Sequence, residues 1–367
     1  MKTKAAVLRK FGSDYEIVEL EVDPPKKGEV LVRMAYSGLC HSDEISRLGN
    51  FGVRLPAVLG HEGAGVVEEV GEGTHRLKSG DHVVVAFLSQ CGHCSFCASG
   101  HGNLCDTGSN FAIGCLPDGS FRFHDGAADY GQITGTWSEL VVVPEDAAVK
   151  VPHEMPLAAA ALLACGVPTG YGSAVKAGEV KAGDTVVVYG AGGVGMNAVQ
   201  GAALAGARSV IAVDPILFKR EKAIEFGATH VLARIDEVPA LLDELTRGVN
   251  ADVTIVTIDV VKPEHVRAAF DATRKGGTLV LTGHGNGDTI QLNGSTLTSW
   301  QKRVQGAIFG GLNPHLDIPR MAAMYMAGKL KLDELITQSY RLDQVNEGYR
   351  DLHDGKNIRG VIDFSLG

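Results

Sequence analysis

The first half of the chain carries short runs in which apolar and polar residues alternate. Gly, Pro and Asp separate these runs and favour turns, so the pattern predicts a strand-rich, largely antiparallel domain. The runs are KAAVLR, GEVLVRMAYSG, GAGVVEEVG, DHVVVAF and SELVVVPEDAAVKVP. We expect this domain to span residues 1–166, with a cysteine-rich lobe at residues 91–105 inserted as a loop.

After Pro156 the pattern changes to an Ala-rich helical stretch, and continuous apolar runs then alternate with helical patterns. Continuous apolar strands between helices are typical of a parallel sheet covered on both faces. Residues 167–309 are therefore predicted to form an α/β domain with a doubly wound parallel sheet of the Rossmann type. Residues 310–367 show two helical patterns and a final strand, which we expect to return to the first domain.

Length and charge narrow the classes of function. A chain of 367 residues is long enough for two domains. A formal net charge of −9 argues against a nucleic-acid or anionic-membrane partner, because those surfaces must be met by Lys and Arg. The N-terminal residues lack the pattern of a signal peptide and no run is long enough to cross a bilayer, so we expect a cytoplasmic protein.

Four of the seven cysteines fall within fifteen residues, CGHCSFCASGHGNLC. In a reducing compartment this close packing favours a metal site over disulfides. Zinc accepts tetrahedral ligation by four thiolates, and an iron–sulfur cluster is the alternative, since close cysteine triplets also ligate iron. The candidate ligands are Cys91, Cys94, Cys97 and Cys105.

The stretch VVVYGAGGVG predicts a strand that runs into a glycine-rich turn at the start of a helix. Gly190, Gly192 and Gly195 have the spacing of the dinucleotide fingerprint, and Gly193 and Val194 lie between them. Glycines at this spacing permit a tight turn and a close approach to a pyrophosphate, which the helix N-terminus attracts.

Asp214 ends the next apolar run, SVIAVD, nineteen residues after Gly195. A carboxylate at this point suits the ribose hydroxyls of NAD and would repel the 2′-phosphate of NADP. The sequence therefore favours NAD. The alternative role of Asp214 is to cap the helix that follows.

Three further stretches carry candidate metal ligands: GLCHSD, GHEGAG and LLACGVPTGYGSAV. The thiolates of Cys40 and Cys165 and the imidazole of His61 are suited to hold zinc while leaving a fourth position open for water or substrate. Spacing alone does not bring Cys165 to the other two residues.

The whole chain, from KAAVL to GKNIRGVIDF, resembles the zinc-dependent alcohol dehydrogenases of the medium-chain dehydrogenase/reductase family. The resemblance implies a GroES-like catalytic domain beside the Rossmann domain, with NAD and two zinc ions per chain. It assigns a structural zinc to the four-cysteine lobe and a catalytic zinc to Cys40, His61 and Cys165. Glu62 would be an alternate ligand and Asp43 would orient His61; surface or capping roles for these carboxylates are the alternatives.

The resemblance also implies a reaction, in which an alcohol passes a hydride to the nicotinamide of NAD and becomes an aldehyde. Ser42 matches the hydroxyl that takes the alcohol proton, although a turn hydroxyl is the plainer interpretation. The family's relay often ends in a His three residues later, and this chain has Ile45 there. Since an aliphatic side chain cannot transfer a proton, release must go through Ser42, the cofactor ribose and water, or another group.

Further cofactor contacts are carried over from the family. His41 and Arg359 would contact the pyrophosphate, Thr169 and Val194 the nicotinamide side, and Lys219 the adenosine ribose. A loop position for His41 and a solvated helix charge for Lys219 are the plainer alternatives.

Several stretches resemble one branch of the family closely, among them CHSDE, GCLPDGSFRFH, VIAVDPILFKRE and GKLKLDELIT. This branch comprises the nicotinoprotein alcohol dehydrogenases, which are assayed with N,N-dimethyl-4-nitrosoaniline and hold NAD through turnover. The resemblance therefore implies an external electron acceptor. The relay His is usual in that branch, so Ile45 is unexpected.

The enzyme alternative is a glutathione-dependent formaldehyde dehydrogenase. That branch has an acidic residue at the position of Phe51 and a basic one near Ser109, so the charged recognition of glutathione is missing here. Phe51, Phe87 and Trp137 fall where the family lines its substrate channel, which suggests a bulky or aromatic primary alcohol. Ordinary core positions are the alternative for these three residues.

The alternative from another class is a zinc-ribbon binding protein, in which the cysteines serve contacts with nucleic acid or protein. The acidic charge and the second ligand set weigh against it. Cys115 matches no ligand position and is interpreted as a plain thiol. Finally, VQGAIFGG resembles the strand through which family members join their sheets, so we expect a homodimer or a higher homo-oligomer.

Overall fold

The computed structural model describes residues 1–108, 114–283 and 289–366. Two units make up the structure: unit 1 comprises Met1–Cys165 with Asn313–Gly367, and unit 2 comprises Gly166–Leu312. In the described ranges no single helix has the length and apolar character to span a membrane, while one bent pair, Leu157–Ala164 with Gly166–Ala177, meets these two criteria.

The strands are numbered in chain order. Within the described residues they are β1 (Lys2–Leu8), β2 (Glu16–Val22), β3 (Glu29–Gly38), β4 (Ala57–Val58), β5 (Glu62–Val70), β6 (His82–Ala86), β7 (Phe123–His124), β8 (Asp129–Gln132), β9 (Leu140–Pro144), β10 (Ala148–Lys150), β11 (Thr185–Tyr189), β12 (Ser209–Val213), β13 (His230–Leu232), β14 (Ala251–Val256), β15 (Thr273–Leu281), β16 (Arg303–Gly306), β17 (Ile336–Tyr340) and β18 (Arg359–Asp363).

The α-helices of the same ranges are α1 (His41–Arg47), α2 (Ser95–Ala98), α3 (Leu157–Ala161), α4 (Gly166–Gly172), α5 (Gly193–Leu204), α6 (Leu217–Glu225), α7 (Val238–Thr246), α8 (Pro263–Ala272), α9 (Gly294–Ser299), α10 (Pro314–Met326) and α11 (Val345–His353).

Unit 1 is built from strands, as the alternating runs predict. A closed barrel has the order β1-β2-β7-β8-β4, and a second sheet has the order β10-β6-β5-β3-β18-β17, with β9 paired to β3. Pairing is antiparallel except at β4–β8 and β17–β18. The C-terminal strand β18 pairs with β3, with Val361 opposite Gly38, so the last residues complete a sheet that begins near the N-terminus.

Unit 2 contains one parallel sheet in the order β13-β12-β11-β14-β15-β16. All five residues of the central strand β11 are buried, because helices cover both faces of such a sheet. The side chains of Val187, Ile211 and Phe270 lie in its apolar core. The order is that of a dinucleotide-binding sheet, so the predicted Rossmann fold is confirmed.

The Ala-rich stretch after Pro156 differs from a single helix. Helix α3 runs into a 3₁₀ turn at Leu162–Ala164, and Cys165 then leaves the helical region, with φ −149° and ψ −74°. Helix α4 begins afresh at Gly166 and carries Pro168 in its first turn, where the missing N–H is tolerated. The break gives Cys165 a backbone geometry that a continuous helix would not allow.

The barrel carries a histidine held between two carboxylates. Nδ1 of His124 lies 2.8 Å from Asp129 Oδ1, and Nε2 lies 3.1 Å from Asp23 Oδ2. Both nitrogens donate only when the ring is protonated. Burial lowers the pKa of His124, but the hydrogen bonds to Asp129 and Asp23 outweigh it, so the pKa is raised above its ordinary value. This group therefore stabilises the fold while protonated, which holds below pH about 6.5, and the contribution is lost as pH rises through the higher folded pKa.

We expect His124→Asn to lower stability by about 1 kcal/mol near pH 5.5, and the deficit to vanish as pH rises through the folded pKa. Thermal unfolding of both proteins between pH 5.5 and 9 measures the difference. His230→Asn is the matched control, since the ring of His230 bonds the Thr229 hydroxyl. A deficit that stays constant with pH would contradict the assignment.

Candidate active site

Four potential ligands from three distant segments meet inside unit 1. Cys40 follows β3 and precedes α1, His61 and Glu62 stand at the start of β5, and Cys165 occupies the break after α3. One donor atom from each residue lies within 4.8 Å of the other three. All four side chains are buried, with exposed fractions of 7% or less. Two sulfurs, a nitrogen and a carboxylate oxygen form a donor set that zinc prefers.

Asp43 fixes the orientation of His61. Its Oδ1 accepts hydrogen bonds from Nδ1 of His61 at 2.9 Å and from the Gly60 N–H at 3.1 Å. Nδ1 is thereby occupied and Nε2 is left for a metal ion. Burial opposes a charge on His61, but Asp43 and Cys40 outweigh it and raise the pKa of His61 to about 10.

The surroundings of Cys40 favour its thiolate form. A hydrogen bond from Cys165 is the largest influence, and with the nearby His61 it lowers the pKa of Cys40 well below its ordinary value despite burial. The hydroxyl of Tyr349 donates to the Cys40 carbonyl at 3.0 Å. Ser42 Oγ lies 3.7 Å from Cys40 Sγ, so the predicted proton-handling hydroxyl is beside the ligand set.

Glu62 of this ligand set forms an ion pair with Arg359. Both residues are buried, where a single unpaired charge would be costly, and in the pair each charge offsets the other. A side chain at Gly38 would collide with the Glu62 carboxylate, which explains why β3 has glycine at that position. Arg359 thus contacts Glu62 in the structure, and its contact with a pyrophosphate stays a prediction.

The aromatic residues predicted for the substrate channel have different surroundings. The ring of Phe87 meets the imidazole of His61 edge-on, at 5.5 Å between centroids, and Phe51 is half-buried. Trp137 has no exposed area and packs at 5.0 Å from the ring of Tyr15, so it belongs to the core of unit 1. Its contact with substrate stays a prediction, and Ser109 lies outside the described residues.

Helix α1 carries the two remaining predicted residues of unit 1. His41 is its first residue, half-buried, with its ring 6.1 Å from that of His353. Ile45, one turn along, is also half-buried. The side chain next to it, Glu44, binds Arg47 at 2.6 and 2.7 Å.

The four cysteines of the lobe also converge. Their sulfurs all lie within 4.8 Å of one another, with Cys91 and Cys97 4.0 Å apart and Cys94 and Cys105 3.9 Å apart. Four sulfurs bound to one tetrahedral zinc at about 2.3 Å are about 3.8 Å apart, so the lobe fits a single ion. A four-iron cluster, with each cysteine on a different iron, would hold them farther apart. Backbone N–H groups of Cys97 and Asp106 lower the pKa of Cys94 to about 6, which favours its thiolate.

The glycine-rich turn of unit 2 has the geometry that a dinucleotide requires. Gly190 has φ +95°, which favours glycine, and a side chain at Gly195 would collide with the Gly190 carbonyl. Nothing lies within 4 Å of the position of a side chain at Gly192, so the turn is open there. Helix α5 begins at Gly193, and its N-terminus attracts phosphate. The Thr257 hydroxyl bonds the Gly190 carbonyl at 2.8 Å and fixes the turn.

Asp214 is buried at the end of β12. Its Oδ2 accepts the Ala191 N–H at 2.8 Å and its Oδ1 accepts the Ile216 N–H at 2.9 Å. Each carboxylate oxygen can accept a second hydrogen bond, so both can still bind ribose hydroxyls. Ile216, not Asp214, is the N-cap of α6, and the role of Asp214 toward ribose stays a prediction; the helix carries the half-buried Lys219.

Two further contacts were not predicted from the sequence. In unit 1, Tyr349 reaches Cys40 from 309 positions along the chain, so no local pattern reveals it. In unit 2, Ser173 and Thr282 bond each other at 2.7 Å. Their separation in the sequence hides this contact as well. Thr169 and Val194, predicted for the nicotinamide side, are half-buried in the same unit.

Comparisons with known proteins identify the family of the chain. Residues 26–153 match the alcohol dehydrogenase GroES-like domain, and residues 193–327 match the zinc-binding dehydrogenase family. The chain is 53% identical over 366 residues to the NDMA-dependent alcohol dehydrogenase of Amycolatopsis methanolica, with 99% of each chain covered. It is 45% identical over 371 residues to alcohol dehydrogenase B of Mycobacterium tuberculosis, covering 100% of this chain and 99% of that one. The crystal structure of benzyl alcohol dehydrogenase from Acinetobacter calcoaceticus is similar with a TM-score of 0.92, at 30% identity and 99% coverage of both chains.

We expect Tyr349→Phe to lower the free energy of unfolding by about 1 kcal/mol, because the Cys40 carbonyl loses a buried hydrogen bond. Zinc should also pass to a chelator faster, since the carbonyl belongs to a ligand residue. Denaturant unfolding and chelator kinetics measure the two effects. Tyr15→Phe is the matched control, because the Tyr15 hydroxyl is buried with no hydrogen-bond partner among the described residues. Equal effects of the two substitutions would contradict a role for the Tyr349 hydrogen bond.

Proposed function

Because the chain belongs to the zinc-binding dehydrogenases of the alcohol dehydrogenase family, we propose that it oxidises bulky or aromatic primary alcohols to aldehydes while NAD stays bound. The balanced first half-reaction converts RCH₂OH and NAD⁺ into RCHO, NADH and H⁺. The observation that carries the proposal is the buried set of Cys40, His61, Glu62 and Cys165, whose donor atoms lie within 4.8 Å of one another.

The donor chemistry assigns the two zinc ions different roles. Cys91, Cys94, Cys97 and Cys105 would surround one ion completely, which leaves no position for substrate. In the other site, Cys40, His61 and Cys165 would be the three protein ligands that leave a position open, with Glu62 as an alternate ligand paired to Arg359. When bound there, zinc is a Lewis acid that makes an alcohol hydroxyl more acidic, and NAD accepts the hydride.

The chain's own residues orient the ligands and handle the proton. Asp43 holds His61 through Nδ1, and Tyr349 holds the backbone of Cys40. Ser42 Oγ, 3.7 Å from Cys40 Sγ, is the hydroxyl that accepts the alcohol proton and passes its own proton on. Ile45 cannot continue this relay, so we propose that water and the cofactor ribose carry the proton from Ser42.

An aromatic substrate is supported by two observations. The similar structure from Acinetobacter calcoaceticus is a benzyl alcohol dehydrogenase. In this chain the ring centroid of Phe87 lies 5.5 Å from that of the His61 imidazole, so an aromatic side chain lies beside the ligand set. Aromatic rings prefer such offset or edge-on neighbours, which favours an aromatic alcohol over a small aliphatic one.

Retention of NAD is supported by the relative from Amycolatopsis methanolica, whose name states dependence on NDMA. An enzyme that keeps its cofactor needs a second substrate to take the hydride back. The chemical class of that acceptor is an aldehyde or another small hydride acceptor, which is reduced while NADH returns to NAD⁺. The buried Asp214 carboxylate and the rigid turn at Gly190 are the features of unit 2 that support tight binding.

A homo-oligomer in the cytoplasm is also proposed. All four residues of β16 are exposed, and this strand lies at the edge of the parallel sheet among the described strands. An exposed edge offers unpaired backbone groups to a second copy of the chain.

The zinc assignment predicts three different outcomes for three cysteines. Cys165→Ala should lose one zinc of two and lower kcat/KM for benzyl alcohol about a thousandfold, which corresponds to about 4 kcal/mol of lost stabilisation. Cys97→Ala should lose the lobe zinc and lower stability. Cys115→Ala, the matched control, should keep both ions, and elemental analysis with steady-state kinetics checks all three. Wild-type protein with a single zinc, or a preference for ethanol over benzyl alcohol, would contradict the corresponding assignment.

The retention of NAD is tested by denaturing exhaustively dialysed protein and measuring the nucleotide released. We expect nearly one NAD or NADH per chain, because an enzyme that keeps its cofactor retains it through dialysis. Asp214→Asn should lower this content, since the carboxylate that binds ribose loses its charge. Wild-type protein that emerges empty, yet reduces added NAD with an alcohol, is an ordinary exchanging dehydrogenase.

A further inference from the structure

Helix α4 of unit 2 does not end in an ordinary turn but widens into a π-helix at Ser173–Ala177. The Gly178 N–H donates to the Ser173 carbonyl at 2.9 Å, a bond across five residues. Short π-helical segments of this kind are rare and frequently lie at functional sites. Ser173 begins the π-helix with no exposed area, so its hydroxyl must find partners inside the protein.

The Ser173 hydroxyl joins two segments that are far apart in the sequence. It donates to the Thr169 carbonyl at 2.7 Å and also lies 2.7 Å from Thr282 Oγ1. A hydroxyl has one hydrogen, so with that hydrogen on Thr169 the Thr282 hydroxyl must donate to Ser173. The result is a directed chain from Thr282 through Ser173 to Thr169, in which each bond strengthens the next.

This chain of hydrogen bonds lies at the ligand-binding edge of the parallel sheet. Thr282 follows β15 at its carboxyl end, and its N–H donates to the Val256 carbonyl, the last residue of β14, at 3.1 Å. Ligands of doubly wound sheets bind outside the carboxyl ends of the strands. A side chain at Gly170, next to Thr169, would collide with the Val194 carbonyl in the first turn of α5. Thr169 is therefore held between the strand ends and the turn that binds the dinucleotide.

We propose that the Ser173–Thr282 pair, here called the hydroxyl latch, slows the release of NAD by fixing the backbone of Thr169. The inference rests on the proposed function, in which Thr169 contacts the nicotinamide side of a retained cofactor. For the cofactor to leave past Thr169 this segment must move, and with the latch closed the movement breaks buried hydrogen bonds. A binding edge that is already rigid also loses less conformational freedom when it orders around a ligand.

The test measures the rate of NADH release. Protein loaded with NADH is mixed with excess NAD, and the change in NADH fluorescence reports the release. Ser173→Ala and Thr282→Val should each release NADH about tenfold faster, equivalent to about 1.4 kcal/mol. The double variant should be no faster than either single one, because both substitutions open the same latch. Thr282→Ser keeps the hydroxyl and should release NADH at the wild-type rate.

The matched control is the pair Thr254 and Thr273, two buried hydroxyls 2.8 Å apart that bond each other in the same sheet away from its carboxyl edge. Thr254→Val should leave release unchanged even where it lowers thermal stability. The latch would be overturned if Thr254→Val released NADH as fast as Thr282→Val does. It would also be overturned if Ser173→Ala and Thr282→Val released NADH at the wild-type rate. Wild-type protein that loses NAD on dialysis would refute retention, and the same comparison of release rates would still decide the latch.

Discussion

The burial of two thiols, an imidazole and a carboxylate in one small volume is the constraint on which the rest of unit 1 depends. Ionised groups are costly to bury unless they are paired or bound to a metal. Asp43 and Cys40 raise the pKa of His61 despite burial, and a hydrogen bond from Cys165 together with His61 lowers the pKa of Cys40, so both groups are favoured in their charged forms. Metal binding requires deprotonated ligands, so a divalent cation held by these residues would take the place of their protons and would offset the same cost.

The surrounding elements of unit 1 serve that cluster. Pairing of β3 with β5 sets Ser37 opposite Gly63, which brings the segments that carry Cys40 and His61 to the same end of one sheet. The rings of Tyr15, Trp137 and Tyr349 pack together with centroids 5.0 to 6.0 Å apart, and Tyr349 of this group donates to the Cys40 carbonyl. Position and packing together therefore leave the ligands few alternative arrangements, and such rigidity is what a metal site requires.

The aliphatic residue at position 45 is consistent with the proposed cycle. An ordinary dehydrogenase releases one proton to solvent for each alcohol oxidised, and a relay speeds that release. In a cycle that reduces an aldehyde acceptor at the same site, the proton given up in the first half-reaction is consumed in the second. Net proton release over the whole cycle is then zero, so the proton that Ser42 passes on need only reach water or the cofactor ribose and return in the second half-reaction, and Ile45 is tolerated.

The sequence by itself determined the fold class, the four-cysteine lobe and the glycine-rich turn. Each of these is a local signal: alternating or continuous apolar runs, cysteines within one short loop, and glycines at fixed spacing before a helix. Cys165 needed the resemblance to a known family, since its distance from Cys40 hides their contact. Only the tertiary structure decided that Tyr349 supports Cys40, that Arg359 pairs with Glu62, and that Trp137 lies in the core. The same is true of the Ser173–Thr282 contact, because hydrogen bonds between side chains far apart in the chain depend on packing and leave no periodic trace in the sequence.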